Sequence, residues 1–217
     1  MTLPYRTVLF DMDGTIVESG EGIIRTVEET LRTFGWRTLS PEELRRFVGP
    51  PSHDSYRNIA GMDEALARRA ADWHRARYRD ENWRLARLFP GIRELLADLR
   101  RAGAHTALAT TKPRPALESM LDAFALRDLL DFTASSRADG TGGEKPALIA
   151  RCLDALGETD KSRTVMIGDT RFDAAGARDA GVPFLGVLYG YGTRAEMERE
   201  GASRFVSSVE ELRAALL

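Results

Sequence analysis

Thr7-Val8-Leu9-Phe10-Asp11-Met12-Asp13-Gly14-Thr15 is the stretch from which the rest of the chain can be ordered. Its first four residues are β-branched or large and apolar, the composition of a short buried strand. The strand ends on Asp11, a second carboxylate follows at Asp13, and Gly14-Thr15 supplies a turn. In an open parallel sheet, ligands bind beyond the carboxyl ends of the strands. An apolar strand that delivers two aspartates to that edge therefore specifies a fold and a site together.

Downstream, residues 21–35 read as a helix. Ile23, Ile24, Val27, Leu31 and Phe34 recur at three- and four-residue spacing, and Gly35 suits its end. Ser40-Pro41-Glu42-Glu43 is a capping box with proline at the first helical position, so another helix starts there. Gly49-Pro50-Pro51-Ser52 breaks the chain into a loop, and residues 63–80 are again helical, rich in alanine and arginine. From Phe89 the character changes. A helix over 91–102 and a strand at 105–109 ending in Thr110-Thr111 come first. A helix after Pro113, a short strand at 132–134 and a helix over 146–156 follow. The strand 164–167 runs into Gly168-Asp169, and a helix over 173–180 follows. Strands at 183–188 and 204–206 and a helix from Ser208 complete the chain. This alternation argues for a parallel sheet with helices on both faces. The purely helical stretch after the first strand reads as an insert, with linkers near 16–21 and 82–90.

Composition narrows the classes. Of 217 residues, 43% are hydrophobic and 29% charged, a balance that excludes wholesale disorder. The net charge of −2 gives no basic footprint for a nucleic acid polymer. No apolar run reaches the roughly 18 residues of a membrane span. Met1-Thr2-Leu3-Pro4-Tyr5-Arg6 lacks the pattern of a secretory leader. The single cysteine, Cys152, excludes an internal disulfide and a multi-cysteine zinc site. The cytoplasm is the expected compartment.

The strand ends bring Asp11, Asp13, Thr110, Thr111 and Asp169 to one edge, with Asp173 four residues beyond Asp169 and Lys145 opening a helix after the glycine-rich loop 139–143. Asp11, Asp13 and Asp169 at one locus repel one another unless a cation neutralises them or protons are retained. Oxygen-only ligands favour a hard ion and describe Mg²⁺ better than zinc. Lys145 and the Thr110 hydroxyl offer a positive charge and a donor to an incoming anion, which suits a phosphate.

These residues resemble the haloacid-dehalogenase-like hydrolase superfamily. Asp11-Met12-Asp13-Gly14-Thr15 is similar to its DxDGT signature, Thr110 to its second motif, Lys145 to its third, and Gly168-Asp169 through Asp173 to its fourth. The helical insert resembles the small cap of the phosphoglycolate phosphatase-like branch. Val48-Gly49-Pro50-Pro51, Thr111-Lys112-Pro113 and residues 186–192 resemble that branch and its 5′-nucleotidase-like relatives. The implied architecture is α/β, a Rossmann-like parallel sheet with helices on both faces (1–16 and 87–217) plus an inserted α-helical cap domain (17–86). The resemblance implies a Mg²⁺-dependent phosphatase acting on a small soluble phosphate monoester. Asp11 would be the nucleophile and Asp13 the general acid and base, while Thr110, Lys145 and backbone N–H groups near Asp13 and Thr111 would face the phosphate, with Gly14 and Thr111 binding the substrate. The metal would be held by Asp11, the Asp13 carbonyl and Asp169, with Asp173 binding through water or steadying Lys145. Ser52 and His53 fall where the cap loop of such proteins faces the substrate.

Plainer readings stand beside these. Lys112 is an alternative cation near the site, although in a Lys-Pro loop it is expected to be solvated, and Arg68, Arg69, Arg75, Arg77 and Arg79 are expected to form a solvated helix face. His74 and His105 read as structural or exposed, and Cys152 as an inert core thiol. Tyr189 and Tyr191 either line the site rim or pack. Within the superfamily, Asp13 argues against a dehalogenase, and the absence of lysine between Met1 and Arg101 excludes a phosphonatase. A sugar phosphomutase and a non-catalytic metabolite-binding protein remain as alternatives. The choice between phosphoglycolate, a nucleoside 5′-monophosphate and an aryl phosphate stays open, as does that between monomer and homodimer.

Overall fold

A computed structural model describes residues 3–217; Met1 and Thr2, the start of the expected leader-free terminus and core range, lie outside the described residues. The chain runs through β1 (Thr7–Phe10), β2 (Val17–Glu18), α1 (Gly20–Thr33), α2 (Pro41–Arg45), α3 (Ser52–Asn58), α4 (Glu64–Asp80), β3 (Arg87–Leu88) and α5 (Ile92–Arg101). It continues with β4 (His105–Pro113), α6 (Arg114–Ala123), β5 (Phe132–Ser136), α7 (Lys145–Leu156), β6 (Thr164–Gly168) and α8 (Arg171–Ala180), and ends with β7 (Phe184–Val187), α9 (Arg194–Arg199), β8 (Phe205–Val206) and α10 (Val209–Leu216).

Six strands form one sheet in the order β5-β4-β1-β6-β7-β8, and every pair is parallel. β1 lies inside, between β4 and β6, with Phe10 level with Leu108 and Ile167. Because successive side chains in a strand point to opposite faces, β1 feeds two cores. Val8 and Phe10 pack with Leu95, Leu99, Leu117 and Leu212 from α5, α6 and α10, whereas Leu9 packs with Leu148, Cys152 and Ala177 from α7 and α8. Helices thus cover both faces, the α/β Rossmann-like arrangement expected. Asp11 follows β1 directly, and its N–H bonds Ile167 O at 2.9 Å, which fixes the strand end against β6.

The helical stretch has a core of its own. Val27, Leu31, Leu44, Tyr56, Ala67, Ala71 and Tyr78 are buried together, joined from the sheet side by Ala116 of α6. Four elements escaped the sequence reading. α3 was hidden because Pro51 sits at its N-cap and its seven residues carry little periodicity; Tyr56, buried edge-on against Phe47 at 5.1 Å, anchors it by tertiary packing. β2 and β3, the two chain crossings to the helical stretch, pair antiparallel as a ribbon too short to show alternation. α9 carries a Thr193/Glu196 capping box that was legible but not read. The strand after His105 also runs to Pro113, so Lys112 lies in β4 and not in a loop.

The arginine face divides. Arg68, Arg69 and Arg79 are exposed, but Arg77 turns back to Glu29 at 2.6 Å and Arg75 toward Asp72 and Ser52. Among the described residues, no helix is long and apolar enough to cross a membrane.

His74 is buried, 3.0 Å from the Tyr56 hydroxyl and stacked on Tyr78, with Arg75 and Lys112 the nearby cations. Burial, aided by those two charges, pushes its pKa down to about 3 from 6.5. An unfolded chain therefore takes up a proton near pH 6.5 that the folded one refuses until about pH 3. Stability is full above pH 6.5 and falls as the pH drops toward 3, by up to about 5 kcal/mol. Urea melts at pH 7 and pH 4.5 should show His74→Gln flattening this acid limb; an unchanged limb would remove His74 as its source.

Candidate active site

The carboxyl edge of β1, β4 and β6 gathers the charged groups. Asp11, Asp169 and Asp173 are all buried, and one carboxylate oxygen from each lies within 4.8 Å of the others. Lys145, the first residue of α7, reaches across with Nζ 2.8 Å from Asp11 Oδ1, 2.7 Å from Asp173 Oδ1 and 2.9 Å from the Ala109 carbonyl. Asp173 is shared: Oδ1 faces Lys145, while Oδ2 accepts the N–H and hydroxyl of Thr170 at 3.0 and 2.7 Å and so starts α8. Asp173 thus both contacts Lys145 and caps α8.

Asp169 has only neutral donors, the Thr15 hydroxyl at 3.3 Å and the Tyr191 N–H at 2.8 Å. Burial first, and then the charges of Asp173 and Asp11, hold its pKa well above the usual carboxylate range. Burial likewise raises Asp11, to about 6, with Lys145 opposing and Asp173 and Asp13 adding to the shift. Lys145 loses from burial but gains more from Asp11 and Asp173, and stays above its ordinary value. One ammonium among three buried carboxylates leaves excess negative charge. An all-oxygen cluster with that deficit fits a hard divalent cation.

The carboxylate of Asp13 is not in this cluster. It turns to Lys112, whose Nζ lies 2.7 and 2.9 Å from its two oxygens. The carboxylates brought together are thus Asp11, Asp169 and Asp173 rather than Asp11, Asp13 and Asp169, with the Asp13 carboxylate held by Lys112. Lys112 is itself buried, contrary to the expectation of a solvated lysine, because Asp13 and Tyr78 supply its partners.

Gly14 also differs from expectation. Its N–H is committed to Val17 O at 2.8 Å, so it is not a free donor to a phosphate. With φ at +83°, it packs directly beneath Asp169, where a Cβ would overlap the carboxylate, as it would at Gly190 on the other side. Gly14→Ala should displace Asp169 and lower the melting temperature by several degrees, with loss of turnover measured alongside; a variant that matches the parent in both would contradict this packing role.

Thr110 is buried, and its Oγ1 accepts the Lys112 N–H at 3.2 Å, which leaves the hydroxyl proton available to an anion. The Thr111 hydroxyl faces the Gly49 carbonyl at 3.4 Å. Asp13, Thr111, Lys112 and Lys145 floor a cavity of about 830 Å³, roofed by Phe47, Ser52, His53, His74, Arg75 and Tyr78. The structure therefore brings Ser52 and His53 to the cavity wall. The Ser52 hydroxyl accepts from Arg75 at 3.4 Å, and the His53 ring lies 3.3 Å from Asp54 and 3.2 Å from Glu64. Tyr191 and Tyr189 brace the crossings. The Tyr191 hydroxyl accepts the Gly20 N–H at 2.7 Å, and the Tyr189 hydroxyl donates to Thr15 O at 3.1 Å. The residues that sequence reasoning missed are Tyr78, as a cavity wall, and Lys112, as the partner of Asp13.

A parallel sheet whose strand ends converge on buried aspartates and one lysine defines a hydrolase fold of known type. The family profile described as haloacid dehalogenase-like hydrolase matches residues 8–187, and the chain belongs to that family. Among curated relatives, the tyrosine-protein kinase PtkA of Mycobacterium tuberculosis is 34% identical over 212 residues, 96% of this chain and 72% of that protein. A 5′-nucleotidase of Pseudomonas aeruginosa is 34% identical over 214 residues, 99% of this chain and 96% of that one. Among solved structures, a predicted phosphatase from Clostridium acetobutylicum superposes with a TM-score of 0.91 at 33% identity, covering 97% of each chain.

Proposed function

We propose that the chain is a Mg²⁺-dependent phosphatase that hydrolyses a small phosphate monoester through an aspartyl-phosphate on Asp11. The observation that carries this reading is the buried Asp11–Asp169–Asp173 cluster, neutralised only in part by Lys145, which itself lines the cavity together with Asp13. Asp11 and Asp169, with the Asp13 carbonyl and with Asp173 directly or through water, would hold the metal. Bound Mg²⁺ supplies positive charge that draws the ester in and offsets the nucleophile's own charge.

The remaining steps belong to the chain. An Asp11 carboxylate oxygen attacks phosphorus as the bond to the leaving oxygen breaks, and Asp13 gives that oxygen a proton. Asp13 then takes a proton from water as the water attacks the aspartyl-phosphate, which frees Asp11 and inorganic phosphate. Lys145 and the Thr110 hydroxyl stabilise the equatorial oxygens. Residues 17–86 act as a cap that excludes water and selects the leaving group.

Phosphoglycolate and a nucleoside 5′-monophosphate are the two candidate substrates, and the cavity favours the second. Its volume far exceeds that of glycolate, and Phe47 and Tyr78 put aromatic rings in its lining. The 34% identity to a protein named 5′-nucleotidase points the same way. A kcat/KM panel over nucleoside, glycolate, sugar and aryl phosphates, with Mg²⁺ and with chelator, tests the reading. Metal-dependent hydrolysis, greatest for nucleotides, is expected. Inertness toward the whole panel would favour a binding protein, and phosphate transfer from a sugar bisphosphate would favour a mutase.

A further inference from the structure

Lysine stands at only three positions, 112, 145 and 161, although the chain has 31 basic residues. Two of the three are buried at the site. Lys145 serves the carboxylate cluster, but nothing in the proposed reaction uses Lys112. Its ammonium has three hydrogens, and three acceptors surround it: Asp13 Oδ1 at 2.7 Å, Asp13 Oδ2 at 2.9 Å and the Tyr78 hydroxyl at 3.2 Å. It also lies 4.5 Å from the centre of the Tyr78 ring. No donor is left over for a substrate phosphate. Its backbone N–H rests on the Thr110 hydroxyl, so the lysine is held at both ends. Tyr78 belongs to α4, in the helical stretch above the cavity, whereas Asp13 and Lys112 belong to the sheet side below. A compact ammonium satisfies this niche in a way that a planar guanidinium does not, which accounts for a lysine in an arginine-rich chain.

We propose that Lys112 is a positioning residue: it clamps both oxygens of Asp13 and, through Tyr78, ties the proton-transferring carboxylate to the helical segment that roofs the site. The inference rests on the reading of Asp13 as general acid and base. Proton transfer demands hydrogen-bond reach, and a misplacement of about 1 Å costs on the order of 100-fold.

The test is Lys112→Met, assayed with an alkyl phosphate, whose leaving oxygen needs a proton, and with p-nitrophenyl phosphate, whose leaving oxygen does not. Read in the first turnover, release of the leaving alcohol should slow at least about tenfold for the alkyl ester and less than about threefold for the aryl ester, hydrolysis of the aspartyl-phosphate, which also needs Asp13, should slow alike with both, and the substrate Kd should hold. On an Asp13→Asn background, Lys112→Met should add no further loss. Tyr78→Phe should show the same pattern with a smaller loss. A weakened Kd with both steps intact, equal losses in first-turnover release of the two alcohols, or additive losses with Asp13→Asn would overturn the proposal. Crystal structures of the parent and Lys112→Met supply a readout independent of activity. The Asp13 carboxylate should leave its position in the variant, and an unchanged orientation would overturn the clamp. If the parent hydrolyses neither ester, the phosphatase reading fails, and the structural comparison alone decides the role of Lys112.

Discussion

Asp11→Asn should abolish turnover of every ester the parent accepts, with kcat lower by at least about 10³-fold. The amide keeps the volume and the strand end but supplies no anionic oxygen to attack phosphorus. The fold should survive. Burial already penalises the Asp11 charge, and Asn removes one of three crowded carboxylates. Metal-free Asp11→Asn should therefore melt no lower than the parent while being inactive. Stopped assays with a sensitive phosphate readout, paired with thermal melts, check both halves. Retained activity would displace Asp11 as nucleophile, and loss of fold would make the inactivity uninformative.

The second large effect is expected at Lys145, where stability and activity fall together. Its ammonium lies between Asp11 and Asp173 with side chains nearly inaccessible on all three. Lys145→Met removes the ammonium facing the cluster and leaves Asp11, Asp169 and Asp173 without it. Breaking a buried ionic contact from one side costs about 3–5 kcal/mol, which in a chain of this size lowers the melting temperature by roughly ten degrees. The kcat should drop about 10²–10³-fold because the charge that meets the phosphate oxygens is gone. Divalent cation should recover part of the lost stability in the variant, since it supplies charge to the same carboxylates. A variant as stable as the parent in chelator would contradict the account of the cluster.

The sequence carried the parts of this site that have local signatures. Thr7–Phe10 is apolar and ends on Asp11, Thr164–Gly168 ends before Asp169, and each strand end is readable without knowledge of its neighbours. Strand alternation fixed the parallel sheet but not the order β5-β4-β1-β6-β7-β8, because pairing is a tertiary choice. The bond between Lys112 and Asp13 spans 99 positions and leaves no periodic trace, so Lys-Pro read as a solvated loop. Asp13 was grouped with the other aspartates by proximity in sequence, although its side chain had a closer cation. Gly14 reads as a substrate-binding residue from its place beside the aspartates, whereas a turn to Val17 takes its N–H. α3 is built from residues with weak helical preference and is held by the burial of Tyr56, a contact made with distant side chains.

Borohydride trapping tests the central claim most directly. The enzyme is mixed with Mg²⁺ and a hydrolysable ester, quenched within one turnover, reduced with borohydride and mapped by peptide mass spectrometry. An aspartyl-phosphate is reduced to homoserine at that residue. Homoserine at position 11, dependent on ester and absent from Asp11→Asn, is the predicted result. Turnover that proceeds with Asp11 unmodified, or with the modification on another residue, would contradict it.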